Sequence, residues 1–239
     1  MADSELMNAG PVATGDPEFS CLGDAAILLQ WHGADTAEQT LQIASAFRMI
    51  SSVEIPGVLA AVPGFTSLAV HFDPLRLTAA VLCEQLRLVL HDDRFMPLQE
   101  IRTVRIPVSF AQADAADLQD VAEQTRMSVK QLVALFTATE FRVRIIGFTP
   151  GFPYLTGLPK SLHLPRRATP RVRVPAGSVA IAGAQAGIYP TESPGGWHLI
   201  GRTSLTLFDP LAVPVCQLAP GDRVRFIDQQ TIQSGEVSE

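Results

Sequence analysis

The hydrophobic positions of this chain follow two different patterns, one in each half. In the first half, residues 25–30 (AAILLQ) form a short apolar run of the kind that makes a buried strand. Thr36 with Gln39 makes a capping box, in which each side chain satisfies a free backbone N–H at a helix start. Ile43, Phe47 and Ile50 then recur at helical spacing. Residues 53–62 and 67–72 read as a strand pair turned at Pro63-Gly64. In the second of them Leu68, Val70 and Phe72 alternate with Ser67, Ala69 and His71, the period of a half-buried strand. Asp73-Pro74 ends it, and Leu82, Leu86, Val89 and Leu90 mark a second amphipathic helix. The order β-α-β-β-α predicts a small α+β sandwich behind a polar leader.

A polar, proline-containing stretch at 91–100 (HDDRFMPLQE) predicts the domain boundary. The expected layout is a leader over 1–18, an N-terminal α+β domain over 19–95 and a second domain over 96–239. Val104, Ile106, Val108 and Phe110 open that second domain as a strand. Asp114 is placed to cap a helix carrying Leu118, Val121 and Ala122. Ser128 with Gln131 forms a capping box before Leu132, Val133 and Phe136. From Phe141 onward the second pattern begins: short alternating runs (FRVRII, RVRV, SVAIA, SLTLF, RVRF) separated by Gly and Pro. Of 18 prolines, 11 fall between Gly147 and Gly221, and so do 10 of 17 glycines. Such punctuation around regular β-branched alternation predicts a β-barrel or sandwich rather than a disordered tail. The fold class expected is α+β, a small sandwich followed by a barrel with a helical pair near its start.

Composition narrows the function. The 239 residues suffice for a core without disulfides or metal. Charged residues are only 18%, against about 25% in a typical soluble domain, which leaves room for a partner interface. No apolar run reaches the ~18 residues of a membrane span, and the acidic N-terminus lacks a signal-peptide pattern. Three scattered cysteines, Cys21, Cys83 and Cys216, support neither a disulfide framework nor a zinc site. A reducing, cytoplasmic setting is expected. The net charge of −6 disfavours general nucleic-acid binding. It is unevenly spread, with 13 acids and 4 bases in residues 1–100 and 11 acids and 14 bases in 101–239. Between Phe141 and Thr191 there is no acid at all, only Arg142, Arg144, Lys160, Arg166, Arg167, Arg171 and Arg173. That stretch is either a solvated basic face or a site for an anionic ligand or an acidic partner.

Common catalytic signatures are missing. There is no GxxxxGK[ST] phosphate loop and no GxSxG elbow, and the five histidines show no metal-ligand spacing. What stands out is a loop-rich run: GFTPGFPYLTGLP (147–159), PRRATPR (165–171), VPAGSVAIAG (174–183), GIYPTESPGGWHLIGRT (187–203), LFDP (207–210) and PGD (220–222). Arg166, Arg167 and Arg171 place three guanidiniums within six residues, forks suited to carboxylate or phosphate. Lying in an acid-free segment, they are expected to lack local intrachain salt bridges, although arginines on an exposed strand edge would look the same. In Pro194-Gly195-Gly196-Trp197 the backbone amides of Gly195 and Gly196 are placed to converge on a ligand, or the glycines simply serve barrel turns. Gln185, Tyr189 and His198 are candidates to orient substrate, and imidazole has the intrinsic pKa for proton transfer. Core packing is the plainer role for Tyr154, Tyr189 and Trp197.

These motifs, in this order, resemble the KipI/PxpB family, also described as the B component of 5-oxoprolinase or as allophanate hydrolase subunit 1. The resemblance is dense from Glu140 to about Phe226. It implies a small N-terminal α/β domain, a C-terminal cyclophilin-like β-barrel, and a KipA/PxpC-type partner built on a related barrel. The PxpB type implies one component of an ATP-dependent 5-oxoprolinase that opens 5-oxoproline to L-glutamate with KipA/PxpC-like and LamB/YcsF-like partners. ATP, with Mg, would then be bound by or shared with a partner, and this chain alone would be inactive, since no nucleotide loop or nucleophile is visible. The KipI type implies instead a regulatory module inhibiting a sensor histidine kinase, and a third branch an allophanate or urea-related amidohydrolase. Family members often carry His at the position of Phe136 and Tyr at Phe141, Gln where this chain has His198, and Pro where it has Ala184.

Overall fold

The computed structural model describes residues 15–33, 37–91 and 102–230. The chain divides into two compact units, Met1–Gln99 and Glu100–Glu239. Beyond His91, the stretch read as the boundary lies outside the described residues, as do leader residues 1–14 and Thr36 of the first capping box.

In the first unit, β1 (Glu18–Cys21), β2 (Ala26–Gln30), β3 (Val58–Pro63) and β4 (Ser67–Phe72) form an antiparallel sheet in the order β1-β2-β4-β3. Helices α1 (Ala37–Ser52) and α2 (Ala79–Leu90) pack with it. The alternation in β4 is as expected, with Leu68, Val70 and Phe72 buried. Thr78 caps α2 by accepting the Val81 N–H at 3.4 Å. Two expectations change. Strand β1 begins at Glu18, inside the stretch read as leader. The strand expected over 53–62 starts only at Val58, because α1 runs to Ser52 and the chain then turns through Pro56 and Gly57, at φ +97°.

The second unit contains β5 (Thr103–Val108), α3 (Leu118–Gln124), α4 (Val129–Ala138), β6 (Glu140–Ile146), β7 (Pro153–Thr156), β8 (Arg171–Val174), β9 (Ser178–Ala182), β10 (Gln185–Ile188), β11 (Ser193–Gly195), β12 (His198–Arg202) and β13 (Arg223–Asp228). Seven strands form one sheet in the order β12-β9-β10-β7-β6-β13-β5, with β5 and β13 parallel and the others antiparallel. The sheet curls until its two edges meet. Ser109, just past β5, donates its N–H to the Arg202 carbonyl at 2.8 Å and accepts the Arg202 N–H at 2.9 Å. This single bridge ties the two edge strands together at one end.

Inside the barrel, Phe136 of α4 packs on Phe226 and Phe141 with centroids 4.8 and 4.9 Å apart. Phe136 and Phe141, two of the departures from the family pattern, are thus wholly core. The capping box of α4 forms as expected: Gln131 N–H donates to Ser128 Oγ at 3.2 Å, and Ser128 N–H to Gln131 Oε1 at 2.9 Å. Strand β9 (SVAIA) is buried on both faces. Val179 and Ile181 belong to the barrel core, while Ala180 and Ala182 face a second cluster with Phe152, Val174, Tyr189 and Trp197. The two-stranded ribbon β8–β11 contributes Val174 to that cluster. PGD (220–222) is a structural turn, in which Asp222 Oδ2 accepts the Ala219 N–H at 2.9 Å and an Arg102 Nη2 bond at 2.5 Å.

Two further expectations are corrected. SLTLF (204–208) is not a strand: only Phe208 pairs, in an isolated bridge with Cys216. Asp114 does not cap α3, because its carboxylate accepts Ser109 Oγ at 2.7 Å. Asp117 holds the cap position, and its side chain is drawn away to stronger, charged donors.

Candidate functional site

Asp117 is the node of the second unit. Its side chain is 2% exposed. Arg171 grips it with both ends of its fork, Nη1 to Oδ2 at 2.8 Å and Nη2 to Oδ1 at 2.7 Å. Arg167 Nη1 donates to Oδ1 at 2.6 Å, and the Leu199 N–H to Oδ2 at 2.7 Å. The Asp117 N–H in turn donates to the Leu199 carbonyl at 2.8 Å. With two donors on each oxygen, the carboxylate's acceptor capacity is filled, and it has no lone pair left for general-base work. Burial pushes its pKa up, but the Arg171 and Leu199 hydrogen bonds and the charges of Arg171 and Arg167 outweigh this and leave it below the ordinary 3.8.

The expectation of no local salt bridge concerned near neighbours in sequence, and Arg167 and Arg171 are paired through the fold instead. Their acid comes from some 50 residues upstream, outside the acid-free stretch. Two guanidiniums on one carboxylate still leave one positive charge in excess. Arg166 adds another: it is exposed and makes no ion pair among the described residues. The backbone around it is fixed. Leu164 O accepts the Gly183 N–H at 2.6 Å, and the Arg167 N–H donates to Gly196 O at 2.8 Å. His198 Nε2 lies 2.9 Å from Pro165 O. A carbonyl only accepts, so Nε2 carries a proton, and in the neutral ring Nδ1 is the acceptor. That Nδ1 is buried without a partner among the described residues. Gln185, half-buried, opens β10 opposite Ala182, beside the hairpin tip that meets Leu164.

Tyr189 is buried, with Phe152, Phe148 and Gly195 around it. Gly195 pairs with Arg171 across β8–β11, so the missing Gly195 Cβ and the Arg171 side chain share one face of the ribbon. The Tyr189 ring occupies that face. Burial raises the Tyr189 pKa above its usual value, against the Trp197 backbone amide and the charges of Arg166 and Arg171. A Cβ at 195 would run into the Tyr189 hydroxyl and sit 2.7 Å from Cζ, so packing alone requires glycine there. Gly196 is roomier, with Pro170 no closer than 3.7 Å. Gly195→Ala is expected to cost about 1–3 kcal/mol by overpacking, whereas Gly196→Ala should cost less. Thermal melts of the two variants check this.

The structure thus brings Arg166, Arg167, Arg171, Gly195, Gly196, Tyr189 and His198 into one connected region at the ribbon and the 164–171 segment. Asp117, the residue that organises it, carries no local signal: neither its neighbours nor its spacing from Arg167 and Arg171 points to the pairing.

Residues 17–218 match the carboxyltransferase domain family, subdomains C and D. A 5-oxoprolinase B component from Escherichia coli O157:H7 is 40% identical over 209 residues, 87% of this chain and 94% of that protein. One from Bacillus subtilis (strain 168) is 36% identical over 217 residues, 86% and 90% of the two chains. The chain belongs to this PxpB/KipI family of 5-oxoprolinase B components. The solved structure of TTHA0988 aligns with a TM-score of 0.76 at 37% identity, over 85% of this chain and 39% of that one. The chain therefore spans well under half the length of that relative.

Proposed function

We propose that this chain is the B component of an ATP-dependent 5-oxoprolinase, acting with KipA/PxpC-like and LamB/YcsF-like subunits to open 5-oxoproline to L-glutamate. The observation that carries the reading is the exposed Arg166 guanidinium, outside the Asp117 node but on a backbone pinned at both neighbours, in a chain whose relatives bear that enzyme's name. In this reading Arg166 takes the substrate carboxylate, while Arg167 and Arg171 supply a fixed positive field rather than direct contacts. The Gly195 and Gly196 amides face the oxygen on which charge develops. Gln185 and Tyr189 orient the ring, and His198 offers Nδ1 as proton acceptor.

Asp117, whose oxygens are filled by Arg167, Arg171 and the Leu199 N–H, is not free to ligate a magnesium nucleotide. In this reading ATP, with Mg, is bound by or shared with a partner subunit. When bound, ATP supplies the phosphoryl group that activates the lactam oxygen. No helix among the described residues is long and apolar enough to cross a membrane, and all three cysteines are free. The reading places the complex in the reducing cytoplasm.

Calorimetric titration of the assembled complex with 5-oxoproline tests the assignment. Arg166→Lys should weaken binding roughly 10- to 150-fold, because an ammonium does not reproduce a guanidinium fork. Its melting temperature should not change, since the side chain is solvent-exposed. Wild-type affinity in Arg166→Lys would make the segment a partner-facing or solvated surface and not an anion site.

A further inference from the structure

Phe148 is held in a conformation that its own side chain disfavours. Its φ is +66°, and a bulky residue there is a genuine outlier. The Thr149 N–H donates to the Gly147 carbonyl across it at 2.8 Å, closing a γ-turn of the strained, positive-φ kind. The rest of the loop is fixed as well. Gly147 N–H donates to Phe152 O, and Phe152 N–H to Thr149 O, both at 3.0 Å. Gly151, at φ +82°, lies so close to Phe208 that no Cβ fits. Yet the ring is not buried in return. It touches Phe152 and Tyr189 only edge-on, at 5.5 and 6.4 Å between centroids, and stays 62% exposed. Strain kept without burial does not serve the fold.

The loop that begins at Phe208 adjoins this one through the Gly151 contact, and it too is ordered around exposed apolar side chains. Asp209 N–H donates to Val215 O at 2.9 Å, Leu211 N–H to Asp209 Oδ1 at 2.9 Å, and Phe208 bridges Cys216. That frame displays Leu211 and Val213 at 93% and 99% exposure. Residues 147–152 and 210–216 carry no charge. One exposed aliphatic is ordinary. Three large apolar side chains on two adjoining, pre-ordered loops, whose one charged residue, Asp209, accepts the Leu211 N–H of its own loop, make a surface prepared for an apolar contact. A small carboxylate would need charged donors, which these loops do not offer. A polypeptide needs only an aromatic anchor with aliphatic neighbours. In TTHA0988 the region matching this chain is joined to further polypeptide, being 39% of that protein.

We propose that Phe148, Leu211 and Val213 form the docking hot spot for the KipA/PxpC-like subunit in trans, an inference that rests on the multi-subunit reading above.

The test is calorimetric titration of the purified KipA/PxpC-like subunit into three forms of this chain: wild type, Phe148→Gly, and the double variant Leu211→Ser/Val213→Ser. Glycine adopts positive φ freely, so Phe148→Gly should melt no lower than wild type while binding the partner at least about tenfold more weakly. The double variant, altered only at exposed positions, should show the same loss. Partner affinities within twofold of wild type in both variants would overturn the proposal. So would a loss confined to self-association of this chain, or to 5-oxoproline affinity with partner binding intact. If the wild type itself does not bind the partner, the multi-subunit reading fails and takes this inference with it.

Discussion

Replacing Asp117 with alanine should destabilise the C-terminal unit by about 3–5 kcal/mol, the cost of breaking a buried ion pair by removing one partner. The reason is what the substitution strands. Arg167 and Arg171 are each about three-quarters buried at the side chain, and both would keep a charge with no counter-ion. The Leu199 N–H on β12 would lose its acceptor at the same stroke. Asp117→Asn keeps the shape and an acceptor for Leu199 but not the charge, so its loss should be smaller. Acid should act in the same direction. The folded-state pKa of Asp117 lies below 3.8, so the stabilisation is complete above about pH 4, the unfolded carboxylate range, and drains away as pH falls through the folded value. Denaturant melts of wild type and both variants at pH 7 and at pH 3 measure this. Wild type should lose stability toward pH 3, and Asp117→Ala should lose less over the same interval. Equal stability of Asp117→Ala and wild type at pH 7 would show that the arginines find other partners.

The parts of the fold that can be read in advance are those where a local rule and the tertiary environment agree. Strand β4 alternates because one face is buried, and Ser128 with Gln131 caps α4 by a contact three residues long. The strands that escape such reading, β7, β10, β11 and β12, lie in the Gly- and Pro-rich run. There PYLT, QAGI, SPG and HLIGR carry too few alternating positions to register. Their register is set by neighbours such as Tyr189 against Gly195, which only the closed barrel supplies. SLTLF misleads in the opposite sense: it has the alternation but no strand to pair with. The arginines are visible as a cluster, and their long-range acid is not. Counting charges between 141 and 191 locates the basic surface but gives Arg166, Arg167 and Arg171 one shared role. The structure divides them between a buried node and a free guanidinium.

In the proposed function this chain is one necessary part of a multi-subunit oxoprolinase and does no chemistry alone. The buried carboxylate of the candidate site, Asp117, is committed to holding arginines. The most direct test measures glutamate formed from 5-oxoproline and ATP by a mixture of this chain with the KipA/PxpC-like and LamB/YcsF-like subunits, omitting each component and ATP in turn. The complete mixture should turn over, and every omission should drop glutamate to background. Full turnover by this chain alone, or by the two partners without it, would contradict the account.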